Sequence, residues 1–158
     1  PSRMDAMDYT LKVEALKSGT VIDHIPAGQG RRVLKLFRLS ESGERIYIGF
    51  NLPSQRIGCK DLIKVANIQL TPEEANQLAL FAPCATVNVI QDFQIAKKYQ
   101  LGLPEVVTGM LNCPNTNCIT HNEPVTSQFR VSQRSGEVRL KCKYCEKTFA
   151  RDTFEQLK

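Results

Sequence analysis

Cys113-Pro114-Asn115-Thr116-Asn117-Cys118 and, after 23 intervening residues, Cys142-Lys143-Tyr144-Cys145 decide how the C-terminal third of this chain folds. Pro, Asn and Thr favour turns, which bring the first two sulfurs to one side of a loop. The second pair forms a tight knuckle. Four thiolates at about 2.3 Å around one Zn²⁺ close a tetrahedron and leave no position open for water or substrate. The expected zinc is therefore a fastener and not a reagent. Lys141, Lys143 and Lys147 surround the second pair and offset the net charge of a zinc tetrathiolate. Buried free thiols or two disulfides are the alternatives. Short paired spacings in a chain expected to sit in a reducing compartment favour metal. A segment of some fifty residues has too small a core to be secure without the ~10 kcal/mol or more that such a site supplies. The stretch between the pairs has room for two strands and a turn. Cys59 and Cys84 have no close partner and are expected to be buried thiols.

Working outward, 158 residues give room for one or two small domains. A hydrophobic content of 42% with 23% charged residues fits a globular protein. No stretch approaches the ~20 apolar residues of a membrane span. The opening residues PSRMDAMDYT lack an apolar signal core, so the expected location is cytoplasmic. The formal charge of +5 divides into +3 over residues 1–104 and +2 over 105–158, with no block of like charges. A zinc tetrathiolate cancels the second excess. Scattered charge predicts weak attraction to polyanions, and neither nucleic acid nor a membrane is an expected partner. A zinc-ribbon nucleic-acid-binding protein is the alternative reading. Its cysteine pairs and basic balance support it, and the missing basic-aromatic stripe opposes it.

Hydrophobic periodicity predicts a strand over Tyr9–Leu16 and another over Thr20–Ile25. Residues 31–39 carry a helical stripe of Val33, Leu34, Leu36, Phe37 and Leu39, with Arg31, Arg32, Lys35 and Arg38 on the wet side. Arg45–Leu52 and Lys60–Ile68 read as strands, with Pro53-Ser54 as a break between them. Thr71-Pro72-Glu73-Glu74 is a capping box that starts a second helix, ended by Pro83. Ala85–Ile90 is a strand, and Phe93–Ala96 extends it or starts another. The order suggests an α+β protein: a ferredoxin-like sandwich of an antiparallel sheet with two helices on one face, then a small all-β zinc domain. Gly102-Leu103-Pro104 is the expected linker, dividing residues 1–104 from 105–158. In the second part, Val125–Val131 and Val138–Cys142 are expected to flank a turn at Ser135-Gly136.

No nucleophile elbow, phosphate loop or dinucleotide fingerprint is present, and no carboxylate pair has a clear chemical role. His121, three residues past Cys118, competes weakly as a metal ligand because four cysteines already fill the shell. Asp23 and His24 are neighbours on a strand end and do not make a dyad, since successive strand residues point to opposite faces. A binding surface is more visible. Lys60, Leu62 and Lys64 alternate along a strand and share one face. Val87–Ile90 and Lys97-Lys98 supply another edge. Lysines around strand edges suit a phosphorylated ligand. Solvated surface charge is the plainer alternative.

These stretches also resemble a known family. Gly19-Thr-Val-Ile-Asp-His-Ile-Pro-Ala27, Asn51-Leu-Pro-Ser54, Lys60-Asp-Leu-Ile-Lys64, Ala82-Pro83 with Ala85-Thr-Val-Asn88, and the cysteine motifs with Glu146-Lys147 are similar to the regulatory chains of aspartate carbamoyltransferase, from Leu11 to about Phe149. The resemblance implies a non-catalytic subunit of pyrimidine biosynthesis. Its N-terminal domain would bind the nucleoside triphosphates CTP, ATP and, alongside CTP, UTP. Its zinc domain would grip the catalytic chains. The chain itself would form a homodimer. Carried over by position, Asp23, His24, Lys64 and Lys98 match polar residues of the nucleotide pocket. His24 and Lys98 would meet phosphates, Lys64 ribose and base, and Lys60 the ribose. Glu14, Ala15 and Leu16 match the edge that meets the base, and Leu62, Asn88, Ile90 and Ile95 complete the pocket. Asn115, Asn117, Lys143, Glu146 and Lys147 are the expected contacts to a catalytic chain. Phe93, where the family pattern has Tyr, and Cys59, where it has a basic residue, depart from it.

Overall fold

A computed structural model describes residues 15–154. Most of the strand expected over Tyr9–Leu16, and Glu14 with it, lies outside the described residues. The elements run β1 (Gly19–Pro26), α1 (Gly30–Leu36), β2 (Ile46–Ser54), β3 (Gly58–Ala66), α2 (Pro72–Leu78), β4 (Thr86–Gln91) and β5 (Gln94–Tyr99). They continue as β6 (Val106–Thr108), β7 (Gln128–Arg134), β8 (Glu137–Cys142) and β9 (Thr148–Ala150), with short 3-10 turns at Leu39–Glu41, Ile119–His121 and Arg151–Phe154.

The first five strands form one antiparallel sheet in the order β2-β3-β1-β4-β5. This is the expected βαββαβ sandwich with one further strand at the edge. Strand alternation divides the residues between two faces. Ile22, Ile63, Val65 and Val87 point to the back, where they meet Val33, Ala75 and Leu78 in one buried core. The capping box starts α2: Thr71 Oγ1 accepts the Glu74 N–H and Glu74 Oε1 accepts the Thr71 N–H, each at 3.2 Å. The last four strands form the second antiparallel sheet, β6-β7-β8-β9. No helix among the described residues is long and apolar enough to cross a membrane.

Several local expectations are corrected. The first helix stops at Leu36, not at residue 39, because Arg38 adopts φ 52°, a left-handed conformation that no helix continues through. Pro53 does not end its strand. It pairs with Cys59 inside β2, which is an edge strand, where a missing N–H costs no ladder bond. Cys59 and Cys84 are both exposed, not buried. The first lies beside the turn of the β2–β3 hairpin and the second in the turn before β4.

One buried group organises the back of the sheet. Asp61, fully buried, accepts the N–H groups of Gly28 and Gly30 on Oδ2 and of Asn51 on Oδ1, all at 3.0 Å. It fixes both the loop into α1 and the irregular register between Gly49 and Leu52.

The two sheets are joined by apolar packing. Leu36 and, after α2, Leu80 and Phe81 share one buried cluster with Val107, Leu111, Phe129, Leu140 and Phe154. Arg151 Nη1 donates to the Leu80 carbonyl at 3.0 Å, and Arg32 lies 6.0 Å over the Phe81 ring.

Candidate functional site

The loop after β6 delivers Cys113 and Cys118; β8 ends on Cys142, and the following knuckle carries Cys145. All four Sγ atoms lie within 4.8 Å of one another. Cys113 and Cys145 are 3.7 Å apart, as are Cys118 and Cys142. A disulfide needs about 2.05 Å, whereas a tetrahedron with 2.3 Å metal–sulfur bonds has edges of about 3.8 Å. The donor set is soft, closed and nearly dry, which fits one structural Zn²⁺. When bound, the ion cross-links the loop to the β8–β9 knuckle and offers no open coordination position. His121 stands outside the shell: its Nε2 meets the carbonyls of Cys113 and Asn115 at 2.9 and 3.0 Å.

The four thiols are displaced from their ordinary range in opposite directions. Burial pushes Cys113 and Cys142 up. Burial also acts on Cys118, but hydrogen bonds from the Thr120 hydroxyl and backbone and from the neighbouring thiols outweigh it and bring this group down to about 6. Burial at Cys145 is likewise outweighed, by the Lys147 backbone N–H, the Asn115 side chain and the adjacent thiols. Each close sulfur pair thus combines one raised and one lowered group. Around this centre Asn117, Lys143, Glu146 and Lys147 are exposed and Asn115 is half-buried. Asn115 Oδ1 accepts the Asn117 N–H at 3.1 Å, and Glu146 takes φ 62° to close the knuckle.

The second candidate is the front of the five-stranded sheet, which no helix among the described residues covers. Register places Tyr47, Lys64, Val21, Asn88 and Lys98 in one row across all five strands. At the Gly19 end of β1, Leu16, Val21, Ala66 and Ile90 form a small apolar cluster, and Ile95, 61% exposed, pairs with Ile90 beside it. At the other end Lys60 Nζ pairs with Asp23 Oδ1 at 2.9 Å, and His24 Nδ1 lies 3.2 Å from Thr86 Oγ1. A bulge between Ile22 and Ile25, with His24 at φ 57°, turns this end of the strand. The face therefore grades from apolar through Lys64, Asn88 and Lys98 to a charged end. Asn88 Oδ1 is buried without a hydrogen-bond partner among the described residues.

Of the residues singled out in the sequence, Leu16, Lys60, Leu62, Lys64, Asn88, Ile90, Ile95 and Lys98 share this face, and Asp23 and His24 bound it. Ala15 is exposed just ahead of it. Thr86 and Val21 were not anticipated. Val21 belongs to the alternation that was read, but its place in the row requires the pairing register.

Residues 11–102 match the family model described as the aspartate carbamoyltransferase regulatory chain, allosteric domain, and residues 105–155 match that of its metal binding domain. Among curated proteins, the aspartate carbamoyltransferase regulatory chain of Aeromonas salmonicida is 63% identical over 142 residues, spanning 90% of this chain and 92% of the relative. That of Chromobacterium violaceum is 58% identical over 152 residues, 96% of this chain and 100% of the relative. That of Vibrio vulnificus is 60% identical over 142 residues, 90% of this chain and 93% of the relative.

Proposed function

The chain belongs to the family of aspartate carbamoyltransferase regulatory chains, and from that premise we propose that it senses nucleoside triphosphates on the front of its five-stranded sheet and passes the signal to catalytic chains through its zinc-held end. The observation that carries this reading is the grading of that face. An apolar patch at Leu16, Ile90 and Ile95 suits a flat nucleobase. Lys64 and Lys98 in mid-face, with His24 beyond, suit ribose and phosphates. The unpartnered Asn88 Oδ1 offers an acceptor to a ligand donor. CTP, ATP and UTP are the proposed effectors. The chain has no catalytic role in this scheme. A nucleotide biases a quaternary equilibrium only by its differential affinity for two states, typically with about 1–3 kcal/mol of coupling.

The proposed division falls at Pro104, with residues 1–104 as the nucleotide-binding unit and 105–158 as the docking unit. Asn115, Asn117, Lys143, Glu146 and Lys147 form the proposed contact with a catalytic chain, on loops that the metal holds in place. Ile48 and Phe50, exposed on edge strand β2, support pairing with a second copy of the chain. A reducing cytoplasmic setting suits the thiolate centre.

Calorimetric titration of the zinc-loaded chain with CTP and ATP, followed by co-purification with a catalytic trimer, tests the proposal. Saturable binding and a stable complex are expected. Replacing Cys113 with Ala should release the trimer on gel filtration. A chain that ignores every nucleoside triphosphate, or a Cys113→Ala variant that keeps an intact regulated complex, would overturn the corresponding half.

A further inference from the structure

Lys60, Lys64 and Lys98 line the front face, and they are not equivalent. Among the described residues Lys64 and Lys98 have no acidic partner, whereas Lys60 is held by Asp23 at 2.9 Å. That pair is no loose surface contact, since its side chains are only 19% and 22% exposed. The two partners also differ in freedom. The Asp23 oxygen that binds Lys60 also accepts the His24 N–H at 2.6 Å, beside the β1 bulge, so the carboxylate is fixed to the backbone. Lys60 reaches it on a four-carbon stem that can swing away. Lys60 and Lys64 lie on the same side of β3, four residues and roughly 13 Å apart. Lys60 is therefore at the far, charged end of the face.

We infer that Asp23 competes intramolecularly with the ligand's phosphates for Lys60. It keeps Lys60 occupied until a sufficiently charged polyphosphate displaces it. The inference rests on the proposed nucleotide site and adds a specificity-setting role to Asp23. The fixed carboxylate repels a polyanion while neutralising the one cation that can follow it. A monophosphate confined to Lys64 and Lys98 gains nothing from Lys60. A longer chain of phosphates captures it, and the exchange of carboxylate for phosphate moderates the affinity gained.

Inorganic tripolyphosphate is the discriminating probe, because it lacks ribose and base. The zinc-loaded full-length chain, its Asp23→Asn and Lys60→Met variants and the double variant should be titrated with tripolyphosphate and with CTP in magnesium-free buffer, with folding checked by circular dichroism. Asp23→Asn should bind tripolyphosphate roughly five- to tenfold more tightly, the scale of one partly screened charge. Lys60→Met should weaken binding, and by a larger factor in the Asp23→Asn background than in the wild type, because only there is Lys60 unopposed. That non-additivity separates competition from simple long-range charge. A cycle that is additive, or tripolyphosphate binding indifferent to Lys60, overturns the inference while leaving the nucleotide site standing if CTP still binds. A wild-type chain that binds neither CTP nor tripolyphosphate overturns both. If Asp23→Asn fails to fold, unaltered tripolyphosphate affinity in Lys60→Met alone is enough to reject the inference.

Discussion

The Asp61 carboxylate and the Gly30 backbone N–H, 31 residues apart in the chain, meet at 3.0 Å inside the layer between sheet and helices. The approach depends on the absence of a side chain. A Cβ on Gly30 would lie 2.9 Å from Asp61 Oδ2 and 3.0 Å from Phe50. With Gly28 and Asn51 also donating, three N–H groups converge on one buried anion, and such charge-assisted bonds are stronger than neutral ones. Asp61→Ala strands all three donors, and it should destabilise the chain by on the order of 3 kcal/mol. Urea unfolding measures this. A loss below about 1 kcal/mol would show that water replaces the carboxylate without penalty.

Zinc uptake should release protons near neutral pH. Cys118 is lowered to about 6 and Cys145 is lowered as well, whereas burial holds Cys113 and Cys142 protonated. Metal binding therefore displaces protons at pH 7, from Cys113 and Cys142 above all. Calorimetry in buffers of different ionisation enthalpy counts them. A count near zero or four contradicts the pairing of raised with lowered groups.

The same groups give the acid limit its sign. The folded value for Cys118 lies below the ordinary 9.0, so the folded chain holds fewer protons there and gains stability above that value. This contribution disappears as pH falls through about 6, and proton competition for all four sulfurs adds to it. Metal retention followed with a chromophoric chelator should be complete at pH 7.5 and fall steeply below about 6. Retention that is flat down to pH 4 would refute it.

Gly19 opens β1 at φ 148°, and a Cβ there would stand 2.1 Å from the Val65 carbonyl oxygen. The obstacle is backbone of the adjacent strand and cannot rotate away. Gly19→Ala should push β1 from β3 and cost about 2 kcal/mol or more. It should also weaken nucleotide binding, because Leu16 and Ile90 flank this end of the face. Thermal denaturation reads the first effect. An unchanged melting temperature would mean that the strands separate freely.

Lys64→Ala and Lys98→Ala should each weaken CTP binding about tenfold, while a control at the exposed Lys35 of α1, on the opposite side of the sheet, should not. Both variants should retain the wild-type melting temperature within a few degrees, since neither side chain has an ion-pair partner among the described residues. Equal CTP affinity in all three would remove the front face from consideration.

What the sequence disclosed followed the distance over which its signals act. The Thr71–Glu74 cap and the cysteine spacing are local, and both could be read directly. Alternation assigned Lys60, Leu62 and Lys64 to one side of their strand. The row that Lys64 forms with Val21, Asn88 and Lys98 depends on strand register, which the bulges at Ile22–Ile25 and Val89–Ile90 shift by amounts that composition does not encode. Asp61 escaped notice for the same reason. It sits between Lys60 and Leu62 in a plausible strand, and its donors come from positions 28, 30 and 51. Arg38 in a left-handed conformation and Pro53 inside an edge strand were misread because each depends on neighbours brought in by tertiary structure.

Leu36, Leu80 and Phe81 belong by sequence to the half that carries the first sheet and by packing to the cysteine-bearing half. The two halves are consequently not interchangeable cassettes. A chimera that grafts the C-terminal portion of a distant relative onto this chain inherits a mismatched seam unless these three side chains and the Arg151 contact travel with it. Substitutions on either side of that seam are therefore expected to arise in compensating pairs, tying the mutational histories of the two halves together.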